Sequence, residues 1–306
     1  MLDGLSGKTA VLTGAGSGFG WESMRIAAAA GMQLALVDVQ ADALAQAAQA
    51  ARALGARKVM ACKVDVGNAQ AMDQLGEQVR AELGVPHLVF NNAGVGGSGG
   101  LLWEQSAQEW EWVLNVNLWG VIHGVRVFMP MMLEAAAQDP KWQGHMVNTA
   151  SMAGLLTPPN MGVYNVSKHA VVSLTETLYQ DLRLVTEQVH CSVLCPYFVP
   201  TGIADSERNR PQPLAQAQRT ISQQLSQTMT RKAVASGKLT AQDIASKMFA
   251  AVADNQFYIF SHPQALGQVQ ARMDSILQMD NPRDAFADKP QLAEQLRAAL
   301  RGTSVA

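Results

Sequence analysis

Ser151, Tyr164 and Lys168 combine chemistry with a telling spacing. Tyr164 and Lys168 stand four residues apart in Tyr164-Asn165-Val166-Ser167-Lys168, and Ser151 lies thirteen residues before the tyrosine in Asn148-Thr149-Ala150-Ser151. On a helix, positions i and i+4 share a face, so an ammonium stands beside a phenol. A neighbouring cation favours the phenolate and lowers the tyrosine pKa. The result is a base able to take a proton from an alcohol near neutral pH. A serine hydroxyl at the end of the preceding strand would hold the same substrate oxygen. Alone, the tyrosine–lysine pair is unspecific, because many helices set a solvated lysine beside a half-buried ring.

The N-terminal segment supplies a second set of residues. Thr9-Ala10-Val11-Leu12-Thr13 is short, β-prone and mostly apolar; glycines follow at 14, 16, 18 and 20, then an alanine-rich helical segment from Trp21 to Ala30. Strand, glycine turn and helix is the layout that receives a dinucleotide pyrophosphate. Glycine lets the backbone approach the phosphates, and the helix N-terminus offers free N–H groups and a positive dipole end. The spacing is Gly14-x-x-x-Gly18-x-Gly20, with Phe19 where the G-x-G-x-x-G pattern has its third glycine. Asp38 ends a second apolar run, Leu34-Ala35-Leu36-Val37, twenty residues after Gly18. An acid there accepts hydrogen bonds from adenosine ribose hydroxyls and repels a 2′-phosphate. Ser17 and Val39 flank the same corner without a cation. The pattern favours NAD over NADP.

Strand-like runs fall near 8–13, 33–38, 58–64, 87–91, 144–150, 189–195 and 257–260, with helical patterns between them. This alternation predicts an α/β fold: a Rossmann-type, doubly wound parallel sheet of about seven strands with helices on both faces. Ligands of such sheets bind at the carboxyl ends of the strands, and Gly14, Asp38, Asp65, Asn91, Ser151 and Pro196 all fall at such ends. Residues 1–306 read as a single domain. Residues 202–238 are polar and weakly helical, and 261–306 extend beyond the last strand. In that extension Pro263 to Gln278 is expected to be helical and Asn281 to Ala306 loosely structured.

From residue 5 to about 260 the chain resembles the short-chain dehydrogenase/reductase family. Thr13-Gly14-Ala15-Gly16-Ser17-Gly18-Phe19-Gly20 matches its cofactor turn, Asp65-Val66 its adenine-contacting acid, and Asn91-Asn92-Ala93-Gly94 its fourth-strand motif. Asn117, in Val116-Asn117-Leu118-Trp119-Gly120, matches its helix asparagine, and Ser151, Tyr164 and Lys168 complete the catalytic set. The resemblance implies an NAD-dependent oxidoreductase acting on CH–OH groups. Tyr164 is then the base, Ser151 a substrate anchor, Lys168 a partner of the nicotinamide ribose, and Asn117 the holder of a proton-relaying water. Val199 and Thr201 keep the positions expected to hold the nicotinamide carboxamide. After the sixth strand the family has Pro-Gly where this chain reads Pro196-Tyr197-Phe198-Val199-Pro200-Thr201, so Tyr197 narrows the pocket or gives it an aromatic wall. The resemblance also makes 202–238 a substrate lid. Met152, Leu155, Leu156, Met161, Tyr197 and Phe198 are expected near a pocket for a hydrophobic secondary alcohol or ketone, aryl-substituted ones included. An NADP-dependent carbonyl reductase and a non-catalytic dinucleotide sensor are the competing readings.

Composition narrows the class. Hydrophobic residues make up 48% and charged residues 16%, and the net charge is −2. No basic stripe points to nucleic acid and no polybasic segment to a membrane surface. The first residues lack a charged start followed by an apolar stretch, and the apolar run Ile26 to Val37 is too short to span a bilayer. The expectation is a cytoplasmic protein with reduced, buried Cys62, Cys191 and Cys195 and no metal. His169, next to Lys168, reads as a helix-surface residue. Apolar residues beyond one face of the helices near 106–135 and 162–186, among them Trp110, Trp112, Trp119, Phe128 and Leu174, predict a homodimer or homotetramer.

Overall fold

Successive residues of the first strand, β1 (Thr9–Thr13), point to opposite faces and find apolar partners on both. Ala10 and Leu12 pack with one helical layer, and Val11 packs with the other. A strand buried on both faces needs apolar residues at every position, which is why its sequence shows no polar alternation. The computed structural model describes residues 4–215 and 218–302. Its seven strands form one parallel sheet in the order β3-β2-β1-β4-β5-β6-β7. They are β1, β2 (Gln33–Asp38), β3 (Lys58–Lys63), β4 (Leu88–Asn91), β5 (Gly144–Thr149), β6 (Val189–Cys195) and β7 (Tyr258–Phe260). The strand order reverses between β1 and β4, opening a crevice at their carboxyl ends.

One face of the sheet is covered by α1 (Gly18–Ala29), α2 (Ala41–Ala53) and α8 (Ala241–Ala253), whose Met24, Leu44 and Met248 meet Leu34 and Leu36. The other carries α3 (Ala69–Leu83), α5 (Gly120–Gln138) and α6 (Gly162–Val185), with Leu75, Phe128 and Leu182 against Val37 and Met146. The stretch Ala107–Gln138 is helical throughout and is long and apolar enough to cross a membrane. Half of its apolar window is buried in the protein, and Trp112, Val121 and Met132 are buried along the stretch. That is the behaviour of a core helix.

Three regions differ from the sequence expectation. The helix foreseen over 106–135 is two helices, α4 (Ala107–Leu114) and α5, joined by a wider π turn at Asn115–Trp119. The described residues of 202–238 are more ordered than their polarity implied, with 3-10 turns over Gly202–Asn209 kinked at Asp205 and α7 at Ile221–Ala235, started by a Thr220/Gln223 capping box. Beyond α9 (Leu266–Leu277), the tail expected to be loose contains α10 (Pro290–Arg301). Pro290 sits at its first turn and Gly302, with φ 68°, ends it. That proline-start, glycine-stop pattern was present in the sequence.

Candidate active site

The turn after β1 is shaped by contacts that only small residues permit. A Cβ on Gly16 would stand 2.9 Å from Asp38 Oδ2, and a side chain on Gly20 would run into the Gly14 carbonyl. In place of a side chain, the Gly16 N–H donates to Asp38 Oδ2 at 2.8 Å, and the Gln40 N–H donates to Oδ1 at 2.9 Å. Asp38 therefore ties the glycine turn to the end of β2 while keeping further lone pairs for a ligand. Ser17 precedes α1 without capping it through its side chain, so the first N–H groups of α1 face the cavity free of an internal acceptor. Thr13 pins the neighbouring strand end: its Oγ1 accepts from the Asn92 and Ala93 N–H groups at 2.8 and 3.0 Å.

Tyr164 and Lys168 lie on the first two turns of α6, and Ser151 follows β5. All three line one cavity with the glycine turn and Asp38. The Ser151 Oγ accepts from the Ala153 N–H at 3.1 Å and donates to the Pro196 carbonyl at 3.4 Å, which fixes it between β5 and β6. The Lys168 Nζ donates to the Thr149 carbonyl at 2.8 Å and stands 5.7 Å from the Tyr164 ring centre. Burial pushes the Tyr164 phenol up to about 12, against a hydrogen bond with Ser151 that pulls it down. Burial lowers the Lys168 ammonium to about 8. Desolvation of both groups thus outweighs the expected drop in the Tyr164 pKa within the protein alone.

Most of the residues foreseen from the sequence meet here. Gly14, Ser17, Gly18, Phe19, Asp38, Asp65, Val66, Ala93, Gly94, Pro196, Val199 and Thr201 line the cavity, as do Met152, Leu156, Met161, Tyr197 and Phe198. Tyr197 and Phe198 rings lie 4.7 Å apart, and Tyr197 meets the His262 ring edge-on at 5.8 Å, so the glycine replacement builds an aromatic wall. Four residues are placed otherwise. Gly20 is buried beneath the turn as a packing position. Asn91 is buried too, donating to Asn148 Oδ1 at 2.9 Å, because its side chain turns into the sheet toward Gly124. Leu155 packs into an apolar cluster with Val172 and Phe260 instead of lining the cavity. His169 is only partly at the helix surface: it is half-buried, with its Nδ1 2.9 Å from the Asn165 carbonyl.

Asn117 also stays out of the cavity wall. Its Nδ2 donates to the Val95 carbonyl at 2.9 Å and to Ser167 Oγ at 3.1 Å, and its Oδ1 accepts from the Val95 N–H at 2.8 Å. Both amide protons are spent on bracing the loop after β4 against α6. The π turn presents this side chain, and π turns are frequent at functional sites.

A buried ion pair that sequence reading did not foresee holds the outer wall. Glu109, on α4, pairs with Arg210, and their side chains are 1% and 4% exposed. Glu109 Oε1 accepts from the Ser98 N–H at 2.6 Å. Arg210 also pairs with Glu207 at 2.7 Å and lies 4.0 Å from the Trp112 ring centre. Burial works against the Arg210 charge, but the two carboxylates win and raise its pKa. Around this pair the 202–238 segment is stitched to the body: Ser206 Oγ accepts from the Gly96 N–H at 2.9 Å, Asn209 Oδ1 accepts from Gln40 Nε2 at 2.8 Å, and Thr220 and Ser222 hydroxyls both donate to Glu104 Oε2 at 2.6 Å. The cavity has a volume of about 1660 Å³. A single small-molecule pocket holds roughly 300–1000 Å³, so there is room for a dinucleotide and a second ligand.

Comparison with known proteins agrees with this geometry. Residues 8–212 match the family described as short chain dehydrogenase. A short chain dehydrogenase/reductase from Burkholderia phymatum, crystallised in complex with NAD, is 51% identical, with a TM-score of 0.88 over 92% of this chain and 98% of that one. A CLA biosynthesis dehydrogenase/reductase of Lactiplantibacillus plantarum is 31% identical over 88% of this chain and 93% of its own length. The 1-deoxy-11-beta-hydroxypentalenate dehydrogenase of Streptomyces exfoliatus is 30% identical over 98% of both chains. With the glycine turn, Asp38 and the Ser151, Tyr164 and Lys168 cluster in one cavity, the chain belongs to the short chain dehydrogenase family.

Proposed function

We propose that the protein moves a hydride between NAD and a hydrophobic secondary alcohol or its ketone, in the cytoplasm. The observation that carries this reading is the meeting of Tyr164, Ser151 and Lys168 with the glycine turn and Asp38 in one cavity. Gly14 to Phe19 and the α1 N-terminus fit a pyrophosphate, Asp38 a ribose diol, Asp65 and Val66 an adenine, and Val199 and Thr201 a carboxamide. Bound NAD supplies the hydride acceptor and a positive ring charge that favours the phenolate. Ser151 and Tyr164 hold the substrate oxygen. As the carbinol carbon loses its hydride, the Tyr164 phenolate takes the hydroxyl proton, leaving a ketone and a phenol. Lys168 keeps a positive charge beside the phenol, and Asn117 acts by positioning the loop after β4. Ketone reduction runs the same proton transfer backwards. The NAD complex of the Burkholderia relative and the hydroxylated carboxylate in the name of the Streptomyces relative support cofactor and reaction. The 202–238 segment serves as the substrate lid.

The test is NADH formation across a panel of aliphatic, aryl and steroid secondary alcohols, with NAD and NADP side by side. Turnover by NADP alone, or by neither cofactor despite tight substrate binding, defeats the proposal. Asp38 sets the cofactor preference. Asp38→Ala removes both the ribose acceptor and the charge that repels a 2′-phosphate. Hydrogen bonds to charged groups contribute about 1.5–3 kcal/mol, so the NAD-over-NADP ratio of kcat/KM narrows by roughly ten- to hundredfold. An unchanged ratio assigns discrimination elsewhere.

We further propose a homodimer or homotetramer. Trp112 and Phe128 are consumed by the subunit core, but Trp119 and Val166 remain 48% and 47% exposed on the π turn and α6. Light scattering should give a multiple of the 32.8 kDa chain mass. The monomer mass at micromolar concentration would sink the idea.

A further inference from the structure

Among the described residues, one half-buried cation of the cavity wall has no hydrogen-bond or ion-pair partner. Arg272 lies on α9, whose Gln268, Ala271, Arg272, Ser275 and Ile276 all line the cavity. Among the described residues Arg272 has no hydrogen bond or ion pair, although it is half-buried. The other charged groups that the chain past β7 brings to this wall, Asp280, Arg283, Asp284, Asp288 and Lys289, are exposed. Asp284 is already engaged, by Arg297 at 3.5 Å and by the Phe286 N–H at 2.9 Å. Withdrawing a guanidinium from water without a counter-charge is unfavourable. At a cavity wall, a ligand can bring that counter-charge.

The position of α9 says which part of a ligand it would meet. Val269 packs in the apolar cluster with Met152, Leu155 and Leu156, next to Ser151. At about 1.5 Å rise per residue, Arg272 lies roughly 4.5 Å further along the helix, one turn on. Met152 and Leu156, which line the cavity beside Ser151, thus share an apolar cluster with the turn of α9 just before the guanidinium. The planar fork of arginine fits a carboxylate through two parallel hydrogen bonds.

We propose that Arg272 recognises a carboxylate on the substrate, so that the site takes amphipathic hydroxy acids. The carboxylate sits on Arg272, the apolar body runs along Met152, Leu156 and Phe198, and the carbinol reaches Ser151 and Tyr164. This inference rests on the oxidoreductase reading above and specifies its substrate class.

The test titrates the protein–NADH complex with decanoate and with decanamide, two ligands of one shape that differ in charge, followed by NADH fluorescence. Decanoate binds roughly ten- to hundredfold more tightly, the range of a charge-assisted contact. Arg272→Met abolishes that preference and leaves decanamide affinity unchanged, and Arg272→Lys keeps part of it. A merely structural role for Arg272 would move both ligands together. Equal affinities in the unmodified protein, no binding of decanoate, or a preference that survives Arg272→Met overturns the inference. Failure of NADH itself to bind brings down the oxidoreductase reading, whereas NADH binding without a carboxylate preference removes only the role of Arg272.

Discussion

Tyr164→Phe lowers kcat/KM for alcohol oxidation by about 10²- to 10⁴-fold, the contribution of a positioned general base. NADH affinity stays within about twofold, because only the proton-accepting oxygen is lost. The pH profile gives an independent check. Burial raises the Tyr164 phenol to about 12 and lowers the Lys168 ammonium to about 8. Oxidation needs the phenolate, so its kcat/KM climbs with pH while the phenol is the dominant form. The ammonium that favours the phenolate is present below about 8 and is lost as pH rises past that value. Oxidation is therefore expected to rise with a slope near one below about pH 8 and to flatten above it. Ketone reduction needs the phenol and is flat over the same lower range. Lys168→Met moves the oxidation limb to higher pH. A pH-independent oxidation rate between 6 and 8, or a Phe variant with an unchanged rate, removes Tyr164 as the base.

Much of this site could be read without coordinates, and the reason is local. The strands of the doubly buried sheet are short apolar runs, so β1, β2 and β6 appear directly in Thr9–Thr13, Leu34–Val37 and Val189–Cys195. Functional residues of this fold cluster where such runs stop, which is how Asp38, Ser151 and Pro196 came to light. The misses have physical causes too. Asn91 ends β4 like its neighbours, but strand residues alternate, and its side chain falls on the side facing Asn148 and Gly124. The π turn shifts the register of the helix at Asn115–Trp119, a change that apolar periodicity does not report. α10 differs: Leu292, Ala293, Leu296 and Leu300 stand at helical spacing between Pro290 and Gly302, so its signal was present in the sequence and the expectation of a loose tail did not use it. Arg272 looks like any surface arginine until α9 is seen to face the cavity. The Glu109–Arg210 pair joins residues 101 apart, and no periodic pattern links them.

That pair is where the second large effect is expected. Arg210→Met removes the cation opposite Glu109, whose side chain is 1% exposed and still accepts from the Ser98 N–H. Removing one partner of a buried ion pair costs up to about 3–5 kcal/mol. The pair joins the 202–238 segment to α4, so the loss need not unfold the sheet; it appears first as local opening of that segment. At about 1.4 kcal/mol per factor of ten, the open population rises by up to roughly 10²-fold. Limited trypsin digestion should then cut at Arg208 in the variant well before the sheet unfolds, and KM for the alcohol should rise more than kcat falls. Glu109→Gln is milder, because Arg210 retains Glu207 at 2.7 Å and the Trp112 ring at 4.0 Å. Combining Glu109→Gln with Arg210→Met removes both charges and should recover part of the loss, giving a coupling energy of about 1–3 kcal/mol in a double-mutant cycle. Strict additivity of the two substitutions, with unchanged proteolysis at Arg208, would show that the segment is held by its other stitches to Gln40, Gly96 and Glu104. The expected non-additivity makes the ion pair the principal clasp of the segment proposed as the substrate lid.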